Sequence, residues 1–311
     1  MSFDPTTLIA GPAIVTHDSQ VYYSQGDITV QAQLQSWDVN TSMHGPIDKR
    51  LKSRAYDISF TPAGECEAFD KYFPYAATDI GAGVFAASDK DLVIQTLSGQ
   101  KYTFMRAAMI KMPGLNLGTG ATALTDMTFR ALLDSSIEPT ADDAFVKLEA
   151  TAFSDATFDE TKILSPGYTA AFGTDPYDEI ESLDGFRIEL ALSFKEHNVD
   201  RYGLVQMHLT GIQATARFTP AGLTEAQWDA MVIPDGANAV IPGQSLAKAG
   251  TDLIISKGAG YPQVTISDAG IEGHGLAFGE AQRFSELTFI NKWTWTAGAL
   301  NAPFTVEIQA A

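Results

Sequence analysis

The chain carries five histidines, His17, His44, His197, His208 and His274, and one cysteine, Cys66. No two histidines fall at H-x-H, H-E-x-x-H or i, i+4 spacing, the patterns by which a strand or helix offers ligands to zinc. A lone cysteine forms no intrachain disulfide and no multi-cysteine metal site, and Cys66 reads as a small apolar residue, buried or half-buried. There is no G-x-S-x-G nucleophile elbow. The glycine-rich pieces GLNLGTG at 114–120 and GAG at 258–260 lack the Gly-Lys-Ser or Gly-Lys-Thr ending that holds phosphate, and are read as loops. Asp175, Asp178, Glu179 and Asp184 gather carboxylates but depart from the D-x-[DN]-x-[DN]-G order of a calcium loop, so they are read as an acidic loop. No catalytic residue, no cofactor site and no metal site is expected.

Charge says more. The formal net charge is −18, with 38 acidic against 20 basic side chains. Such a surface repels nucleic acid, because DNA affinity comes largely from Lys and Arg neutralising phosphates. Repulsion does not prevent DNA from passing close by. Against this background Lys49, Arg50, Lys52 and Arg54 form one cationic cluster in segment 36–54, read as a loop too long for an ordinary hairpin. It suits an acidic face of another copy. The corresponding segment, 196–212, carries only Arg201, His197 and His208.

The elements that position these residues are duplicated. Phe60-Thr61-Pro62-Ala63-Gly64 recurs as Phe218-Thr219-Pro220-Ala221-Gly222, an offset of 158. At that offset DITVQAQLQ at 27–35 lies on GFRIELALS at 185–193, so Ile28, Val30, Ala32 and Leu34 match Phe186, Ile188, Leu190 and Leu192. Alternation of period two predicts a strand with one buried apolar face and one polar face. A second strand, at 55–61 and 213–219, ends at Pro62 or Pro220, since proline donates nothing to the ladder. Phe69 with Phe73, and Trp228 with Met231 and Val232, then have helical spacing and predict a short helix in each copy. Asp91–Gln95 matches Asp252–Ser256, and 118–129 matches 278–289, giving six or so strands per copy and a small barrel or sandwich.

At 311 residues the chain exceeds one ordinary core. The expected division is 1–135 for copy one, 136–165 for an acidic linker, 166–298 for copy two and 299–311 for a C-terminal tail, with an extra strand at 144–148. Hydrophobic content of 45% marks a folded chain with a core in each half. No stretch of 18 apolar residues and no secretory leader is seen, so the expectation is a protein made in a cytoplasm, without a membrane span.

Two strands joined by a long loop, an F-T-P-x-G turn, a short helix and further antiparallel strands together resemble the tail tube protein of long-tailed bacteriophages. The likeness spans both copies and is to the duplicated type, related to tail-tip hub proteins. It implies an all-β chain with short helices, two tandem tube-like modules, and a structural, non-enzymatic role. Trimeric rings of pseudo-hexameric shape would stack into a tube in the virion tail, made in the bacterial host. Partners would be other copies, tape measure and tail-tip proteins, with DNA only as passing cargo. In the family the long loop reaches the adjacent ring, which implies inter-ring contacts for Lys49, Arg50, Lys52 and Arg54. The polar face of the first strand, Asp27, Thr29, Gln31, Gln33 and Gln35, would line the lumen, where amides and carboxylates let DNA slide. The alternatives are a tail-tip hub or distal tail ring and, from another class, a carbohydrate-binding β module, which needs solvent-facing aromatics near a groove, whereas Trp37, Trp228, Trp293 and Trp295 are scattered.

Overall fold

The structure is a computed structural model describing residues 13–64, 69–85, 90–118, 124–133, 145–151, 167–173, 179–199, 202–224, 227, 242–246, 251–273, 276–277, 283–291, 295–296, 299–300 and 304–309. It is an all-β fold with short helical turns, and among the described residues every strand pairing is antiparallel. The first half contains β1 (Ala13–His17), β2 (Gln20–Tyr23), β3 (Thr29–Thr41), β4 (Gly45–Phe60), β5 (Leu92–Thr96), β6 (Gln100–Phe104), β7 (Ala107–Lys111), β8 (Leu115–Leu117), β9 (Met127–Ala131) and β10 (Val146–Ala150). The second begins with β11 (Thr169–Phe172), β12 (Phe186–Val199), β13 (Gly203–Phe218), β14 (Leu253–Ser256), β15 (Pro262–Ile266) and β16 (Gly270–Gly273). It continues through β17 (Leu276–Ala277), β18 (Arg283–Phe284), β19 (Leu287–Ile290), β20 (Trp295–Thr296), β21 (Ala299–Leu300) and β22 (Phe304–Ile308).

The duplication read in the sequence is visible in the strand order. The first half builds β3-β4-β9-β7, and the second builds β12-β13-β19-β16 in the same order. Likewise β10-β6-β5-β1 corresponds to β22-β15-β14-β11. Strand β10 falls inside the span expected as a linker, and β22 inside the span expected as a tail. Each instead closes one side of its own repeat's sheet.

The two F-T-P-A-G turns do the same work. Ala63 N–H donates to Tyr23 O (2.8 Å) and Ala221 N–H to Glu181 O (2.8 Å), pinning each turn to the chain just before the long hairpin. The phenylalanine that opens each turn stacks on a ring from the last strand of its sheet: Phe60 on Phe129 at 6.2 Å, Phe218 on Phe289 at 5.4 Å. After the first turn Phe69–Tyr72 forms a 3-10 helix rather than an α-helix. After the second, Thr224 and Gln227 form a reciprocal capping box. Trp228, Met231 and Val232 lie outside the described residues, as do Cys66 and most of the acidic stretch.

Segment 36–54 is not a loop. Strands β3 and β4 continue to Thr41 and from Gly45, leaving a three-residue turn. Bulges at Gln35/Ser36 and Val39/Asn40 shift the side-chain phase, so the period-two pattern that marks a strand dissolves there. The same bulges recur at Ser193/Phe194 and His197/Asn198 in β12–β13.

One buried apolar cluster runs through both repeats, from Val15, Ile58 and Phe129 to Ile188, Phe218 and Phe289, rather than a separate core in each. Among the described residues no helix is long and apolar enough to cross a membrane.

His17 sits at the edge of this core. Its Nε2 donates to Ala107 O at 2.9 Å, and its ring lies 4.8 Å from that of Phe129. Burial lowers its pKa from the usual 6.5. The unfolded chain therefore takes up the proton first as pH falls. The stabilisation is complete above the unfolded pKa and is lost as pH drops below it toward the lowered folded value. Thermal melts between about pH 7.5 and pH 5 should show a fall in Tm that is smaller in His17→Gln. An identical slope in both proteins would contradict the assignment.

Candidate functional site

The two repeats are joined by a short strand that carries no marking in the sequence beyond Leu115-Asn116-Leu117 between glycines. Strand β8, from the first repeat, pairs with β12 of the second: Leu115 with Ile188, Asn116 with Arg187, Leu117 with Phe186. The expectation of a loop over 114–120 is corrected here. The approach is close enough to need the flanking glycines. A Cβ on Gly114 would lie 2.9 Å from Ile188 O, and one on Gly118 2.9 Å from Asp184 O. Leu115 and Leu117 enter the same buried cluster as Phe186, Ile188, Ile255 and Val264.

The far end of the β12–β13 hairpin is laid across the first repeat. Gly81 N–H donates to Leu209 O (2.7 Å), Leu209 N–H to Ala82 O (3.1 Å) and Val84 N–H to Met207 O (2.9 Å). The Gln206 side chain donates to Phe85 O (2.9 Å) and accepts from Phe85 N–H (3.0 Å). Leu204 and Met207 share a buried cluster with Ala55, Phe85, Ala108 and Leu132, and Ile110 packs against it. A Cβ on Gly203, where φ is +68 in its counterpart Gly45 and +71 here, would lie 2.6 Å from Ser53 Cβ.

Charge locks this joint. Arg130 donates to both Asp57 oxygens, at 2.7 and 2.9 Å, and its Nη1 reaches Glu196 of β12 at 3.3 Å. The Asp57 carboxylate raises the Arg130 pKa above its usual value. Arg106 donates to Leu133 O (3.2 Å) and across the joint to Val205 O (3.4 Å).

Among the described residues nothing occupies the equivalent places on the first repeat's own hairpin. Strand β3 is the outer strand of its sheet, with no partner beyond it among the described residues. Val30 is 43% exposed where its counterpart Ile188 is 1% exposed, and Leu51 is 58% exposed where Leu209 is 0%. An open cleft of about 1000 Å³ lies at the start of β3, lined by Ile28, Val30, Ile94, Tyr102 and Phe104. In the second repeat the counterparts of Ile94 and Tyr102 are Ile255 and Val264, which are buried in the cluster that contains Leu115 and Leu117. The expectation of a buried apolar face on the first strand therefore holds for β12 and fails for β3. The first repeat supplies the cover for the second, and no described segment supplies it for the first.

The charged and polar residues singled out from sequence lie on this hairpin or, for Asp27, just before it. Asp27, Thr29, Gln31 and Gln35 are exposed and Gln33 is half-buried. Lys49, Arg50, Lys52 and Arg54 are all exposed along the outer part of β4. Lys49 lies 4.0 Å from Asp38, and Arg50 donates to Asp48 at 3.1 Å. Arg54 donates to the Tyr56 hydroxyl and sits 5.0 Å from the centre of the Phe145 ring. Trp37 is exposed on β3, while the side chains of Trp228, Trp293 and Trp295 lie outside the described residues. Among the described residues no three His, Cys, Asp or Glu side chains are grouped to hold a metal ion.

These features define a duplicated all-β chain with one filled and one open copy of the same joint. No protein-family model matches the chain, and no curated protein matches it.

Proposed function

We propose that the chain is a structural subunit whose copies associate head to tail into a trimeric, pseudo-hexameric ring, and that such rings stack into the tail tube of a bacteriophage virion. The observation that supports this is the pairing of a filled joint with an open one. The first repeat covers the edge of β12, while among the described residues nothing pairs with the identical edge of β3, which carries apolar residues. A surface that accepts at one end of a chain what the other end offers is heterologous, and such contacts close into rings when the rotation between units divides a full turn. If each repeat turns the chain by one sixth, three chains complete the circle.

The chemistry of the wall supports a conduit. The polar positions Asp27, Thr29, Gln31, Gln33 and Gln35, on β3 and just before it, include no cation that would hold phosphate, and the chain as a whole is strongly acidic. Partners would be further copies in the tube and the tail proteins at its ends and within it. Quantitative mass spectrometry of purified virions, with antibody labelling under the electron microscope, tests the assignment. The expected result is an abundant protein labelled along the whole tail. Label confined to the tip would make it a hub or distal ring, and absence from virions would end the proposal.

A further inference from the structure

We infer that the joint between chains copies the joint within the chain strand for strand, with ion pairing in place of apolar contact. This rests on the head-to-tail assembly proposed above and specifies its chemistry.

The strand that offers itself is β17. It pairs Leu276 with Phe284 as Leu115 bridges Leu124, which makes β17 the counterpart of β8. Among the described residues β17 has only β18 beside it. The sequence around it keeps the pattern, since Gly-Leu-Asn-Leu-Gly at 114–118 recurs as Gly-Leu-Ala-Phe-Gly at 275–279. At Gly114 and Gly118 the crowding comes from the backbone of the other repeat, at Ile188 and Asp184. The second repeat keeps both glycines in sequence, as a close approach to β3 of a second copy would require. The register carried over from β8–β12 sets Leu276 opposite Val30 and Ala277 opposite Thr29.

The contacts at the far end of the hairpin change character between the two joints. Shared bulges in β7–β9 and β16–β19 make Glu272 the counterpart of Ile110 and Gly270 that of Ala108. Arg106 corresponds to Asp268: both have positive φ, 43 and 46 degrees. In both, the backbone N–H is held by an aspartate, Asp91 at 3.1 Å and Asp252 at 2.9 Å. On the hairpin, Met207 and His208 correspond to Lys49 and Arg50. Inside the chain, then, Met207 shares an apolar cluster with Ile110, and a cation, Arg106, reaches across. Between chains the same positions carry Lys49 on the hairpin, facing Glu272, with Asp268 where the joint within the chain has Arg106. Glu272 is exposed. The joint within the chain is held by covalent connection as well as by contact, whereas a charged joint between chains orients encounter and stays reversible.

The basic stretch of β4 is thereby placed at the side-to-side contact within a ring, instead of the contact between rings that the family resemblance implies. The test uses the full chain, with Lys49→Glu, Glu272→Lys and the double reversal, read by sedimentation and electron microscopy at low and high salt. Each single reversal should raise the protein concentration needed for ring formation by on the order of tenfold or more, and the double should recover most of that loss. Added salt should weaken wild-type rings, because it screens exposed pairs. Rings that tolerate both single reversals would overturn the ion pairing and leave the assembly proposal intact. So would variants that form rings but no longer stack. Wild-type protein that never associates at any concentration or salt would overturn both.

Discussion

Val30→Pro is expected to abolish ring assembly while leaving the chain folded. In β12 the carbonyl of Ile188 points at β8, because a Cβ on Gly114 would meet it at 2.9 Å. The N–H and C=O of one strand residue share a side, so the equivalent groups of Val30 point out of the open edge of β3. Proline there removes the outward donor and sets its ring in the path of an incoming strand, yet takes nothing from the β3–β4 ladder. The concentration needed for assembly should rise about a hundredfold, or ~3 kcal/mol, with an almost unchanged melting temperature. Gln31→Pro is the contrasting variant: its N–H points into the ladder, so it should lower the melting temperature as well. Sedimentation and thermal melts separate the two. Normal assembly by Val30→Pro would remove β3 from the interface.

Arg130→Ala should cost about 3 kcal/mol of stability. The guanidinium makes a two-pronged contact with Asp57, whose side chain is only 14% exposed, and a third bond to Glu196 on the other repeat. Truncation leaves the Asp57 carboxylate largely shielded from water and unpaired, and removes the one ion-paired tether across the joint among the described residues. Arg130→Lys should recover only part of the loss, since an ammonium cannot grip both oxygens. Chemical denaturation measures this directly. A cost under about 1 kcal/mol, the range of a solvent-exposed pair, would show that the clamp contributes little.

How much of this was legible in the sequence depended on whether the cause was local. The alternation at 27–35 and 185–193 predicted strands because each residue's side is set by the pleat alone, and β3 and β12 lie there. The F-T-P-A-G repeat predicted equivalent turns, and both pin the chain the same way. The bulges after Gln35 and Ser193 hid the rest of the hairpin, because one extra residue inverts the pattern that a strand is recognised by. Strand β8 was missed because three residues between glycines look like a loop, and only the edge of β12 makes them a strand.

Burial was the least legible property. Val30 and Ile188 stand at matching positions of matching patterns, and nothing near either residue tells that one is covered and the other bare. That difference comes from where the other repeat falls in space. The charge change from Met207 to Lys49 was visible as a cationic cluster, but its meaning came only with the counterpart change from Ile110 to Glu272, more than 200 residues away along the chain.

Electron microscopy of the purified full-length protein at high concentration and low salt tests the central claim most directly. The account predicts closed rings of six lobes in two alternating kinds, with threefold symmetry and β3 of each chain paired to β17 of the next. Discrete monomers under every condition, or oligomers in which the β3 edge stays bare, would contradict it.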